Sequence, residues 1–179
     1  EPGESAYQAW AEGVRRGEVL LTNGPLLEFS ANGERSGATL SWTGDSAVVE
    51  GRALATYHRP IEVVEIIRNG EVVAQQRGDG QAEKIPLDFK IEVNESSWIA
   101  ARVTAKSFEG EPTIQAHTNP IYFLRDGQPV RTESARASLR ERWQTEVEYY
   151  RSNELTFPTS ASRALFLAGV EKTSQRLAQ

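Results

Sequence analysis

Between residues 18 and 125 the chain repeats one pattern: runs rich in Val, Ile, Phe, Tyr and Thr, cut at short intervals by Gly, Asn, Asp or Pro. Phe89, Ile91 and Val93 alternate with Lys90 and Glu92, and Ile99, Ala101, Val103 and Ala105 alternate with Ala100, Arg102, Thr104 and Lys106. A period of two means one buried and one wet face, the habit of antiparallel sheets. Strands are predicted over 18–22, 26–31, 47–57, 61–68, 71–75, 85–93, 98–106 and 120–124. Asn69-Gly70 joins two of these runs. That dipeptide suits a type I′ hairpin turn, which needs positive φ at both positions. Seven or eight such strands with short turns predict a mostly β fold, an antiparallel two-sheet β-sandwich of immunoglobulin-like class.

Helical spacing appears only at the two ends. Ser5 with Gln8 fits a capping box, Tyr7, Trp10, Ala11 and Val14 form one apolar stripe, and Gly17 follows Arg15 and Arg16 as a left-handed stop. Beyond Gly127, Ala135, Leu139, Trp143, Val147 and Tyr150 share a helical face that Thr132 or Ser134 can cap. A break at Phe157-Pro158 precedes a last helix over 160–179, with Leu165, Phe166, Val170 and Leu177 inward. The expected organisation is thus a short N-terminal helix over 1–17, the tail of a preceding domain. A sandwich over 18–126 and a helical extension over 127–179 follow. The closing stripes need a partner: the sandwich, each other, a neighbouring domain or a second copy in a homo-oligomer.

Composition narrows the functions. At 179 residues the chain is long enough for a real core, and a net charge of −5 argues against nucleic acid as a partner. No run approaches the roughly eighteen apolar residues of a membrane helix, so no membrane span and a soluble chain are expected, cytoplasmic or exported after signal removal. Cys is absent, which removes disulfides, thiolate metal sites and thiol nucleophiles; Met is absent too, so Glu1 is not a translational start and a processed or partial chain is expected.

Catalytic machinery is hard to assemble. His58 and His117 are the two histidines, and neither has a second ligand at helical or tight-turn spacing. Glycine never flanks a serine as in a nucleophile elbow, and Gly78-Asp79-Gly80 reads as a turn. Glu62 with Glu65 and Glu146 with Glu148 read as solvated faces. Neither a catalytic residue nor a metal or other cofactor is therefore assigned within this chain. Two polar segments stand out: Thr22-Asn23-Gly24-Pro25 and Ala116-His117-Thr118-Asn119-Pro120. Turn geometry and strand boundaries account for both, yet Thr22, Asn23, His117, Thr118 and Asn119 would also make a polar loop surface. The rings of Trp10, Trp42, Trp98 and Trp143 could stack on sugars, although Trp serves more often in cores and interfaces.

At these segments the sequence resembles a known family. Residues 10–17 (WAEGVRRG) running on to 21–27 (LTNGPLL), then 64–73 (VEIIRNGEVV), 97–102 (SWIAAR) and 116–122 (AHTNPIY), are similar in order to the region that follows the catalytic domain in CehA/McbA-type metallohydrolases of the PHP group. The similarity spans about residues 7–124. It implies the C-terminal β-sandwich of an enzyme whose PHP domain, a distorted α/β barrel, holds several divalent metal ions with His and Asp and hydrolyses ester-type bonds. Those metal motifs precede the matched region, so no catalytic role carries over to this chain. The resemblance implies a non-catalytic domain with the PHP domain as intramolecular partner. It would pack on or cover the active-site side, with Thr22, Asn23, His117, Thr118 and Asn119 facing substrate or the barrel from one end of the sandwich. A reading from another class is a stand-alone module that binds carbohydrate or a protein partner.

Overall fold

The computed structural model describes residues 5–152 and 155–177. The elements are α1 (Ala6–Arg16), β1 (Leu20–Thr22), β2 (Leu26–Ala31), β3 (Glu34–Arg35), β4 (Thr39–Trp42), β5 (Ala47–Thr56), β6 (Ile61–Arg68), β7 (Glu71–Arg77), β8 (Lys84–Val93), β9 (Ser97–Ala105), β10 (Ile114–Thr118), β11 (Ile121–Arg125), α2 (Glu133–Arg151) and α3 (Ser160–Leu177). They divide into two compact units, Glu1–Val130 and Arg131–Gln179, so α1 falls in the same unit as the strands.

The first unit is a β-sandwich. Its larger sheet is organised around β9, which pairs with β6 along one flank. The other flank is shared: β10 takes Arg102–Ala105 and β11 takes Ser97–Ile99, so these two strands form one line broken at Asn119-Pro120. β1 lies beside β10 and β4 beside β11, while β7 pairs with β6. The second sheet runs β3-β2-β5-β8, with β5 and β8 in register from Ala47↔Val93 to Thr56↔Lys84. Every pairing is antiparallel except β4 with β11, which is parallel. The chain crosses repeatedly between sheets, so alternate residues of central strands meet the opposite sheet. Val49, Ile61, Val64, Ile66, Ile99, Val103 and Ile121 are fully buried between them. That burial is the main stabilising term of such a fold. Asn69 and Gly70 have φ of +49° and +95° and join Arg68↔Glu71, as a type I′ turn requires. Ser97 and Thr118 are the buried polar residues among those described, and Ser97 is fully enclosed. The Ser97 hydroxyl accepts from Arg68 Nε at 2.9 Å and donates to Glu95 O at 2.9 Å, which offsets its desolvation.

Three strands depart from the sequence expectation. β3 and β4 are too short to show a period against the glycines around them. β10 alternates inward Ile114, Ala116 and Thr118 with outward Gln115 and His117. Its polar residues read as a loop because only every second position is apolar, and the run is five residues long.

In the second unit Thr132 caps α2, its hydroxyl accepting from Ala135 N at 3.3 Å. Trp143 Nε1 donates to Ser174 Oγ at 2.8 Å, and Arg140 Nε to Leu177 O at 2.9 Å. Tyr150 meets Phe166 edge-on at 5.3 Å. Among the described helical residues only Val147 and Val170 are buried. Leu139 and Leu165, expected to face inward, are 53% and 78% exposed, and Ala135 is exposed as well. A hairpin gives each helix one neighbour, which covers a narrower arc than the stripes occupy. Residues 178 and 179 of the expected last helix, and 1–4 of the expected first segment, lie outside the described residues.

Candidate functional site

The two polar segments meet only at their starts, where Thr22 pairs with Ala116, and run apart from there. The register Leu20↔Thr118, Leu21↔His117 and Thr22↔Ala116 runs β1 and β10 in opposite directions. Asn23 therefore sits at the sheet end beside Gln115, and Asn119 lies four residues further along, about 13 Å away at the usual strand rise. Antiparallel pairing thus sets Thr22 beside Ala116 but carries Asn23 and Asn119 in opposite directions.

Each of the five residues has its own place. Thr22 locks the turn after β1: its hydroxyl donates to Pro25 O at 2.7 Å and accepts from Gly24 N at 2.9 Å. Asn23 extends the ladder with its side chain, Oδ1 accepting from Gln115 N at 2.7 Å and Nδ2 donating to Thr113 O at 2.8 Å. His117 is exposed on the outer face of the sheet between Leu21 and Arg102. Thr118 is 5% exposed, and its Oγ1 accepts from Ala101 N at 3.1 Å, satisfying β9 near the break between β10 and β11. A buried Thr118 cannot face a substrate.

Asn119 holds α1. Its Nδ2 donates to Gly17 O at 3.1 Å and its backbone N to Val19 O at 2.9 Å. Gly37 closes the clamp from the other side, its N donating to Pro120 O at 2.8 Å. A Cβ at Gly37 would lie 2.0 Å from Arg16 O, and its φ of +91° disfavours side chains as well. Gly17 ends the helix at φ +76°, while Ser5 and Gln8 close the capping box at the start with bonds of 3.2 and 3.0 Å. Arg16 donates to Glu18 at 2.7 Å and thereby holds the Glu18 carboxyl below its ordinary range. A well-capped helix is thus fixed at its C-terminal end, yet none of its residues is buried. Tyr7, Trp10 and Val14 are 72%, 64% and 47% exposed. Capped, anchored and uncovered, this stripe is the strongest candidate interface in the unit.

A second cluster lies at the sheet end that carries Asn23, and sequence reasoning missed it. Tyr57 packs on Gly24 and meets the His58 ring at a tilt of 58° with centroids 4.3 Å apart. The Arg59 guanidinium sits 4.8 Å above the exposed Phe108 ring and donates to Glu111 at 2.8 Å. Glu111 also accepts from Phe108 N at 3.0 Å. That amide first, and Arg59 second, hold the Glu111 carboxyl below its ordinary range, while Glu111 raises Arg59. The signal was legible as Tyr57-His58-Arg59 before Pro60 and Phe108 near Glu111 before Pro112. Chemically the cluster offers an aromatic and cationic surface, not a nucleophile with a base in reach.

Other features are weaker. A groove of about 500 Å³ runs between residues 18–20 and β2, lined by Arg35, Arg52, Glu18 and Glu28. Trp98 and Tyr122 stand opposite each other on the outer face of the larger sheet. Among the described residues no three His, Cys, Asp or Glu side chains converge as metal ligands. No helix of the described residues is long and apolar enough to cross a membrane.

No protein-family model and no curated protein matches the chain. Among solved structures it is similar to a lytic polysaccharide monooxygenase from Jonesia denitrificans, at 13% identity and a TM-score of 0.29, over 49% of this chain and 57% of that one. The match spans little more than half of that protein.

Proposed function

We propose that this chain is a non-catalytic C-terminal β-sandwich domain, immunoglobulin-like in class, of a PHP-type metal-dependent hydrolase. It packs on the catalytic domain and covers its active-site side. The observation that carries the reading is α1, a capped helix clamped by Gly17, Gly37 and Asn119 while Tyr7, Trp10 and Val14 stay exposed. Clamping fixes the direction in which the stripe points, as an interdomain contact requires. The resembling segments around residues 10–17 and 116–122 meet at this clamp. The divalent ions and their His and Asp ligands belong to the barrel; this domain supplies an apolar surface and a fixed approach to it.

The test is a reconstitution. The chain alone should neither retain stoichiometric divalent metal nor hydrolyse carboxylic or phosphoric esters. It should bind a separately produced PHP barrel, and Trp10→Ala with Tyr7→Ala should abolish that binding. Ester hydrolysis or full metal loading by the chain alone would overturn the proposal.

A second reading, a stand-alone carbohydrate- or protein-binding module, draws on the facing pair Trp98 and Tyr122. Glycan-array binding lost in Trp98→Ala would favour it over the first.

A further inference from the structure

The helical hairpin carries a surface that matches itself. Residues one position before the α2 contacts Arg140, Trp143, Val147 and Tyr150 lie to one side of the hairpin: Leu139, Arg142, Glu146 and Tyr149. Because α3 runs back along α2, residues one position before its contacts lie on that same side, which adds Gly169, Thr173 and Arg176 and places Leu165 at its edge. The ion pair Arg151–Glu171 confirms this geometry from the opposite side. Both residues follow a contact position by one, and they meet at 2.9 Å.

Along α2 the uncovered stripe reads apolar, cation, anion, apolar, with Leu139 and Tyr149 about 15 Å apart along the axis. Turned about a two-fold axis level with Gln144, the stripe meets its own complement. Arg142 faces Glu146 of the copy, Glu146 faces Arg142, and Leu139 faces Tyr149 at both ends. No other residue of the chain pairs with Arg142 among the described residues. The Tyr150 hydroxyl bonds to the Glu146 carboxylate, which raises the tyrosine above its ordinary range. Leu165, 78% exposed, borders the stripe, and Gly169 has open space where a side chain would stand, so a helix can approach closely there.

We infer that this face binds a second copy of the chain, α2 against α2 antiparallel, to form a four-helix bundle. Charge complementarity selects the copy, since an isologous contact requires each residue to meet its partner's complement. It also explains why a helical pair with two buried residues keeps aliphatic side chains on a third side.

Sedimentation of the full chain across the micromolar range tests it. The wild type should dimerise reversibly, and Arg142→Glu or Glu146→Arg alone should weaken the dimer about tenfold, because two ion pairs become two repulsions. Mixed one to one, the two variants should recover a heterodimer, since each then presents the other's complement. A wild type that stays monomeric would overturn the inference, and so would a dimer indifferent to both substitutions or a mixture that fails to recover. Since the chain has no Cys, Arg142→Cys mixed with Glu146→Cys provides a second readout. A short bis-maleimide should link the mixture faster than either variant alone, and equal rates would count against the pairing.

Discussion

Ile99 in β9 and Leu139 in α2 are aliphatic side chains of equal size at regular positions of well-formed elements. The first is fully buried and the second is 53% exposed. The difference lies in how many neighbours each element has. β9 has a strand on both flanks and a second sheet across its inner face, so every second residue is enclosed. α2 has one neighbouring helix in its own unit, which covers the line through Trp143, Val147 and Tyr150 and leaves the adjoining line uncovered. Apolar periodicity therefore says which side of an element seeks cover, while the number of neighbours decides how much of that side is covered.

Four substitutions and one titration would break or sharpen this contrast. Ile66→Ala removes atoms enclosed by both sheets and should cost the sandwich about 2–5 kcal/mol in urea unfolding. A loss below about 1 kcal/mol would mean that the sheets relax around the gap and are not close-packed. Gly37→Ala should cost about 1–3 kcal/mol, because it forces a side chain into a left-handed backbone and against Arg16 O. Fluorescence of Trp10 should report the displaced helix. In the hairpin, Val147→Ala should cost about 1–2 kcal/mol of helix stability, read by ellipticity. Leu165→Ala should stay within about 0.5 kcal/mol. Equal effects from these two would erase the distinction between covered and uncovered lines.

The smallest expected effect is at the loop cluster. Glu111 is depressed below 4.5, first by the Phe108 amide and then by Arg59. The folded chain thus binds this proton more weakly than the unfolded one. The contribution is complete above about pH 4.5 and is lost as pH falls through the lower folded value. An NMR titration of the Phe108 amide should give a midpoint below 4.5, and Glu111→Gln should remove it. A midpoint at or above 4.5 would show that the contact does not persist in solution.

The sequence was informative where chemistry is local. Asn69-Gly70 specified a hairpin because few other dipeptides tolerate two positive φ values, and Ser5, Gln8 and Gly17 marked both ends of α1 by the same kind of argument. The candidate site was less legible. Thr22 and Asn23 were identified as a turn, yet their distance from Asn119 depends on strand direction, which no residue in either segment encodes. Arg59 and Glu111 are fifty-two positions apart and meet only because β5–β6 and β9–β10 turn at the same sheet end.

By itself, then, the sequence determined the alternation of the strands, the caps and turns, and the absence of thiol chemistry, because each follows from side-chain type within a few neighbouring residues. Only the tertiary structure decided that β10 and β11 share one flank of β9, that Thr118 is buried while His117 is exposed, and that α1 keeps its apolar stripe uncovered. Those outcomes depend on register and on which element lies alongside, and such long-range pairings are settled by the packing of the whole sandwich.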